Sequence, residues 1–529
     1  MAIMTYVDVL RVQDFVLVSN RLRDVVAGSD LVVEATRGLV ETVARPCGGT
    51  VVFAAGGNAL LVFEGQDPRD RDQARRFAAN YSRQLLEDYP GLEVEMVHRE
   101  YESGKWLPTF LQVQQELQRR KLARVPHAAV AGLSVTAECA ETGGVATHLV
   151  SRPGSDGRVP ASSTVWRRRR QGRNDTRWET LLPSQTWNDY QLIFPGELDQ
   201  FRRTSDDTSL MAVVHVDGNQ VGRRIAEWLR SQDDADDKAV REQQQRLSER
   251  IEGLGIKVMG AVLARVYAAL APWKEHGDVG IHSAHPLGGF PLHTDGRKLY
   301  LPIRPVLAGG DDLTFLCDGR IGLSLARTAL ETLHGTPVPE FNSAVGACAG
   351  VAIVKTHAPF SRAYRMAKAL CARAKAAIVE SDTAPQYFLD WHIGYASPME
   401  SVNDLRMREY QVGKRTLTMR PYALGSDAVP HTFVWLDEVV LGRGGAGDSG
   451  GGFQNDWWQQ RRGKIKRLLE LVREGPDAVA AAVDGWKVTV GLTPVPAYLE
   501  SGGYTGPVTP IVDAIELLDV HHPLAGGTP

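Results

Sequence analysis

The chain has 529 residues, room for three or four domains at roughly 100–200 residues each. Its 43% hydrophobic and 23% charged residues are ordinary for a folded protein and exclude disorder as the default. A formal net charge of −3 excludes a global attraction to nucleic acid or membrane, so any polyanion site must be local.

The first segment opens with the apolar strand "TYVDVLRV", then "QDFVLVSNRLRDVVAGSDLVVEATRGLVETVA", where apolar residues recur at helical spacing. "GGTVVFAAGGNALLVFEG" reads as a hairpin turning at Gly56 and Gly57. The helix "DRDQARRFAANYSRQLLEDY" and the strand "LEVEMVHRE" complete the order strand, helix, hairpin, helix, strand. A Pro/Gly/Ser-rich stretch with the run Arg167 to Arg170 follows and reads as a linker.

From Leu210 the same order returns: "LMAVVHVD", "VGRRIAEWLR", the hairpin "LYLPIRPVLAGGDDLTFLCDG", "IGLSLARTALETLH" and "ACAGVAIV", with a further helix from Pro359 to about Ile378. The predicted fold class is therefore α+β, with two ferredoxin-like (βαββαβ) palm domains related by internal duplication. An insertion at about 228–290, charged and then apolar, predicts one long or two packed helices. The expected divisions are 1–125 for the first palm, 126–206 for the linker region, 207–400 for the second palm and 401–529 for a mainly helical C-terminal region. A further break is expected at "GRGGAGDSGGGFQND".

Cys47, Cys139, Cys317, Cys348 and Cys371 form no CxxC pair, which fits a reducing, cytoplasmic setting. The N-terminus reaches Asp8 without the basic and apolar regions of a secretory signal. No run of about 18 apolar residues suggests a membrane span.

In a unit of this order the end of the first strand lies beside the tip of the hairpin, which places Asp217 next to Asp311 and Asp312. Three carboxylates without evident basic partners would repel one another unless a cation lay between them. Two Mg²⁺ or Mn²⁺ ions suit such oxygens and the phosphates of a nucleoside triphosphate. Gly309 and Gly310 are expected to permit positive φ in the turn, and Gly218 to let a carbonyl or phosphate approach. Downstream, Ala363, Ala367, Leu370, Cys371 and Ala374 make one helix face, while Lys368 and Lys375 stand about two turns apart on another, where either could meet a triphosphate.

"AVVHVDGNQVG", "LPIRPVLAGGDDLTFLCDG" and "ACAGVAIVKTHAPFSRAYRMAKALCARAK" resemble the second palm of the large polymerase-cyclase subunit of type III CRISPR effector complexes. "VQDFVLVSNRLRDVVAGSDLV" is similar to the opening of that family's first palm. The resemblance covers most of residues 1–400 and fades in the C-terminal part. It implies a GGDD palm that condenses ATP into cyclic oligoadenylate messengers in antiviral defence, beside a degenerate first palm that helps form a paired nucleotide site.

Carried over, Asp217, Asp311 and Asp312 would be the catalytic metal ligands, joined by the backbone of Gly218. Gly218, Asn219, Gly309, Gly310, Lys368 and Lys375 would line the nucleotide, with Lys375 the triphosphate contact. In the first unit Asn58 and Ala59 are expected where the acids should be.

The chain also departs from that family. No HD nuclease motif precedes the first palm, no CxxC zinc ribbon lies between the palms, and Asn219 follows the first-strand glycine where many relatives carry an acid. A compact, stand-alone relative therefore fits at least as well as a subunit of a guide-RNA complex. An RNA or protein activator is compatible with either.

Other readings stand beside these. A non-catalytic sensor or scaffold could bind nucleotide or RNA through paired palms, and a dinucleotide synthase akin to GGDEF enzymes would share the metal site. The arginine run is expected to be a solvated surface segment, and His282, His285 and His293 a loop rather than a zinc site. Cys139 and His148 are two candidate ligands only; Asp519, His521 and His522 are expected in a frayed tail, and Arg362 and Arg365 on an exposed helix face.

Overall fold

The computed structural model describes residues 2–64, 69–124, 135–151, 157–171, 175–201, 210–232, 236–273, 279–286, 288–379, 384, 386–394, 400–425, 427–442, 452–492 and 495–525. The glycine-rich break at 443–451 and the linker residues 152–156 and 172–174 lie outside these.

The first palm is a four-stranded antiparallel sheet of β1 (Ala2–Leu10), β2 (Gly49–Ala55), β3 (Asn58–Phe63) and β4 (Glu93–Tyr101), in the order β2-β3-β1-β4. Alternation decides its two faces. Ile3, Val7, Leu61 and Phe63 pack with helices α1 (Leu22–Val33) and α2 (Arg69–Asp88). Met4, Tyr6, Leu60 and Val62 pack on the other side with Trp106 and Phe110 of α3 (Trp106–Ala123).

The linker region carries a two-stranded hairpin, His148–Ser151 with Arg158–Ala161, and then helix α4 (Ser163–Gln171). The arginine run is on this helix and is not simply solvated. Arg168 is fully buried; it donates to the Val16 and Asp24 carbonyls at 3.0 and 3.2 Å and to the Phe15 carbonyl. A helix samples all faces in four residues, so one member of any such run must point inward.

The second palm repeats the strand order with β5 (Leu210–Gly218), β6 (Ile303–Gly309), β7 (Asp312–Asp318) and β8 (Ala347–Lys355), ordered β6-β7-β5-β8. Its helices are α5 (Val221–Arg230), the single 32-residue insertion helix α6 (Asp237–Ala268), α7 (Gly322–His334) and α8 (Phe360–Ala376). The sheet is larger than the expected four strands. After α8 crosses one face, β9 (Tyr387–Ile393) pairs parallel to β8, and β10 (Tyr422–Ala423) pairs antiparallel to β9. A parallel neighbour needs such a crossover, and α8 supplies it.

The palms pack against each other through their hairpin strands and two helices. Helix α1 packs against hairpin strand β6 of the second palm, and α6 packs against hairpin strand β2 of the first. Ser29 Oγ on α1 donates to the Val306 carbonyl at 2.5 Å. At the other end, Asp237 accepts from the Trp106 backbone N–H at 3.0 Å, and Trp106 Nε1 donates to Gln244 at 3.0 Å.

The C-terminal region includes α9 (Arg462–Glu474) and α10 (Pro476–Val490), and its apolar residues continue the core of the second palm. The expected frayed tail does not hold at His521 and His522, which are packed into the core, whereas Asp519 is exposed. His521 and His522 are 1% and 3% exposed, and His522 stacks on His285 with ring centroids 4.0 Å apart. No helix among the described residues is long and apolar enough to cross a membrane.

Candidate active site

Strand pairing brings the acids together. In β5 and β7 Asp217 is the register partner of Asp312, and the backbone N–H of Gly218 donates to the Asp311 carbonyl at 3.1 Å. A Cβ on Gly218 would lie 2.7 Å from both Asp311 Cβ and Oδ2, so only glycine admits the hairpin tip here. Of the two turn glycines, Gly310 alone has positive φ, at 74°. Gly309 has another use: a Cβ there would stand 3.7 Å from Gly56 Cα, because the two hairpin tips meet.

The first palm repeats this geometry and corrects the alignment of the hairpins. Asp8 is the register partner of Asn58, and the N–H of Val9 donates to the Gly57 carbonyl at 2.8 Å. Gly57 and Asn58, not Asn58 and Ala59, therefore stand where Asp311 and Asp312 stand. The offset arises because strand spacing in the sequence does not say which residue closes the turn. The first turn has positive φ at both Gly56 and Gly57, the sign pattern of a type I′ turn, whereas the second follows the type II′ pattern. The duplication extends to a rare backbone state: Arg11 and Gln220, at matching positions after Asp8 and Asp217, have left-handed φ of 50° and 55°.

The carboxylates are not without basic partners. Lys375 Nζ lies 2.7 Å from Asp217 Oδ2 and donates to the Gly218 carbonyl at 2.7 Å. Lys368 reaches the same region through the first palm, donating to Gln13 Oε1 at 2.5 Å. Asp312 Oδ1 is buried without a hydrogen-bond partner, 3.4 Å from Nδ1 of the buried His215. Burial first, and then the charge of Asp217, push Asp311 up to about 6 and Asp312 up to about 7. Burial likewise pushes His215 down to about 4, so it stands neutral beside them. His215 is a site residue that the motifs alone do not mark; it lies two residues before Asp217, and period-two spacing puts both on one strand face.

Among the described residues no three His, Cys, Asp or Glu side chains already converge as ligands. Asp217 is turned onto Lys375, and Asp312 points toward His215. The orphaned Asp312 oxygen, the raised carboxyl pKa values and the oxygen-only donor set of Asp217, Asp311, Asp312 and the Gly218 carbonyl fit a hard divalent cation. Asn219 is not part of this group. Its Nδ2 donates to the Gln386 carbonyl at 3.1 Å and its N–H to the Gly346 carbonyl at 2.7 Å, which fixes the end of β5.

The touching hairpin tips separate two cavities, of about 320 and 340 Å³, large enough for a small ligand each. The first is lined by Asp311, Asp312, Gln13, Ser29, Arg37 and Arg177. The second lies by Asn58, Phe53, Gln114 and Gln244. Glu252 of α6 borders both and pairs with Arg37 across the palms, at 3.3 and 3.5 Å. These cross-palm residues carry no local sequence signal, since only tertiary packing joins them.

No protein-family model matches the sequence, and no curated protein matches it. The fold, however, is that of Csm1 subunits of type III CRISPR complexes. A Csm1–Csm4 cassette in complex with cA3 aligns with a TM-score of 0.53 at 14% identity, over 98% of this chain and 69% of that one. The cassette in complex with AMPPNP gives 0.52 at 15%, over 98% and 69%. Csm1 in T. onnurineus gives 0.51 at 15%, over 98% and 70%. The likeness thus runs through the C-terminal region, where the sequence resemblance fades.

Proposed function

We propose that this chain is a metal-dependent nucleotidyltransferase that condenses nucleoside triphosphate, with ATP the first candidate, into cyclic or short oligonucleotide messengers for antiviral defence. The observation that carries the proposal is the pairing of Asp217 with Asp312, beside Asp311, at the mouth of a cavity shared by two palms. The likeness in fold includes Csm1 structures in complex with cA3 and with AMPPNP, which supports this reading. Two cavities flanking the hairpin tips suit two nucleotides held for joining.

In this reading Asp217, Asp311, Asp312 and the Gly218 carbonyl hold Mg²⁺ or Mn²⁺. When bound, such ions activate a 3′-hydroxyl and stabilise departing pyrophosphate. The chain itself supplies orientation: the tip contact at Gly56 and Gly309 fixes the distance between the cavities, and Arg37 and Arg177, paired with Glu252 and Asp30, line the first with guanidinium groups. Lys368 and Lys375 add two cations on the acid side. Neutral His215, paired with Thr314 Oγ1 at 3.1 Å, backs Asp312 without adding charge. The first palm, with Gly57 and Asn58 at its tip, contributes walls and no acids.

Incubating the pure protein with each labelled triphosphate and Mg²⁺ or Mn²⁺ tests the proposal. A product beyond that of an Asp311→Ala, Asp312→Ala control is expected, and its mass separates a cyclic oligomer from a dinucleotide. Nucleotide binding without turnover would instead support a sensor or scaffold, a reading favoured by the acid-free tip of the first palm.

A further inference from the structure

Lys375 occupies the place of a cation. Its ammonium is 2.7 Å from Asp217 Oδ2 and 2.7 Å from the Gly218 carbonyl, two of the oxygens assigned above to the metal. A divalent ion bound to both at about 2.1 Å would overlap the ammonium in position and repel it in charge. The two cannot be bound together.

The first palm holds a matching pair. Lys121 makes an ion pair with Asp8, the equivalent of Asp217. Each lysine is fifteen residues past the first residue of the helix that follows its sheet, Trp106 in α3 and Phe360 in α8. The surroundings differ. Asp8 is buried, 8% exposed at its side chain, beside a tip whose acids are gone; Asp217 is 38% exposed beside two carboxylates. One copy thus has a lysine on a buried aspartate, and the other has a lysine on an open one.

Resting on the nucleotidyltransferase reading, we infer that Lys375 is a resident cation that divalent metal must displace, and that triphosphate favours the exchange by receiving the displaced ammonium. Metal and nucleotide binding are then coupled through one flexible side chain. Without nucleotide the lysine satisfies Asp217, and the metal site stays weak. With a triphosphate present the lysine moves from carboxylate to phosphate, and the metal takes its place.

Mn²⁺ binding, read by electron paramagnetic resonance with and without a non-hydrolysable ATP analogue, tests this without any turnover. In the wild type the analogue should tighten Mn²⁺ binding. Lys375→Met should tighten Mn²⁺ binding in the absence of nucleotide by about tenfold, within the usual range of coupling between sites, and should shrink the effect of the analogue to what direct coordination by its phosphates supplies. Arg365→Met removes an exposed charge on the same helix, whose guanidinium donates back to the Ser361 carbonyl, so it should leave Mn²⁺ affinity and the coupling near their wild-type values. Lys375→Gln repeats the test with a polar side chain, and thermal melts show that each variant is folded.

The inference is overturned if Lys375→Met binds Mn²⁺ no more tightly than the wild type, or no more tightly than Arg365→Met, while Asp217→Asn and Asp312→Asn still abolish binding. If those two aspartate variants leave Mn²⁺ binding unchanged, the metal site itself is wrong and the inference falls with it.

Discussion

Gly255 on α6 is the contact by which the insertion helix sets the position of the GGDD turn. A Cβ at this buried position would fall well inside the van der Waals contact distance of the Gly310 carbonyl oxygen and only 3.2 Å from Gly310 N. Both are backbone atoms, so no side chain can rotate away. Ordinary contact requires the helix or the turn to retreat by about 1 Å, an overpacking that costs roughly 1–3 kcal/mol. Gly253, two residues earlier on the same helix, is exposed, and a methyl group there would have nothing within 4 Å. Both Gly→Ala changes gain about 1 kcal/mol of helix propensity, so their difference isolates the clash.

Urea unfolding should therefore place Gly255→Ala about 1–3 kcal/mol below Gly253→Ala. The displaced turn carries Asp311 and Asp312, and a misplacement of about 1 Å at reacting groups lowers turnover by roughly a hundredfold. On the proposed function, oligonucleotide synthesis should fall accordingly in Gly255→Ala and stay near the wild-type value in Gly253→Ala. A Gly255→Ala protein as stable and as active as Gly253→Ala would refute the reasoning.

Arg168→Met should destabilise the protein by about 3–5 kcal/mol in unfolding experiments, since it leaves three buried carbonyls without their donor, whereas Arg170→Ala should cost less than about 1 kcal/mol because that side chain only rests on Trp166. Equal effects would return the arginine run to a solvated segment. Burial, and then the nearby Arg406 and Arg420, push His392 down to about 3. The folded state keeps it neutral while the unfolded chain takes a proton near 6.5, so its contribution is present above that pH and is lost as pH falls toward 3. Between pH 7 and 5 the wild type should lose about 2 kcal/mol relative to His392→Gln, and equal pH slopes in unfolding would contradict this. Gly350→Ala should push α8 off the sheet, because its Cβ would run into the Ala367 carbonyl and lie 3.0 Å from Leu370 Cβ; weakened nucleotide binding together with a lowered melting temperature is the expected result.

Much of the site is legible in the sequence because it depends on short-range order. Asp217, Asp311 and Asp312 sit at the ends of strands whose pairing follows from a two-residue turn, and the structure brings them together. The hairpin of the first palm escapes by one residue for the same reason, since Gly56, Gly57 and Asn58 allow more than one turn and only the pairing of Asp8 with Asn58 chooses. The arginine run and the terminal histidines depart from expectation because composition reports average solvation. It does not report the single direction in which Arg168 points, or the partner on which His522 stacks.

What the sequence by itself determined was the repeated strand, helix and hairpin order, the glycine turns and the asymmetry of acids between two copies, all set by local periodicity and residue chemistry. Tertiary structure alone decided that Lys375 rests on Asp217, that Gly255 meets Gly310, and that two cavities open on either side of touching hairpin tips. Those contacts join residues tens to hundreds of positions apart. Their distances follow from how the faces of two sheets and one long helix pack, which no local pattern encodes.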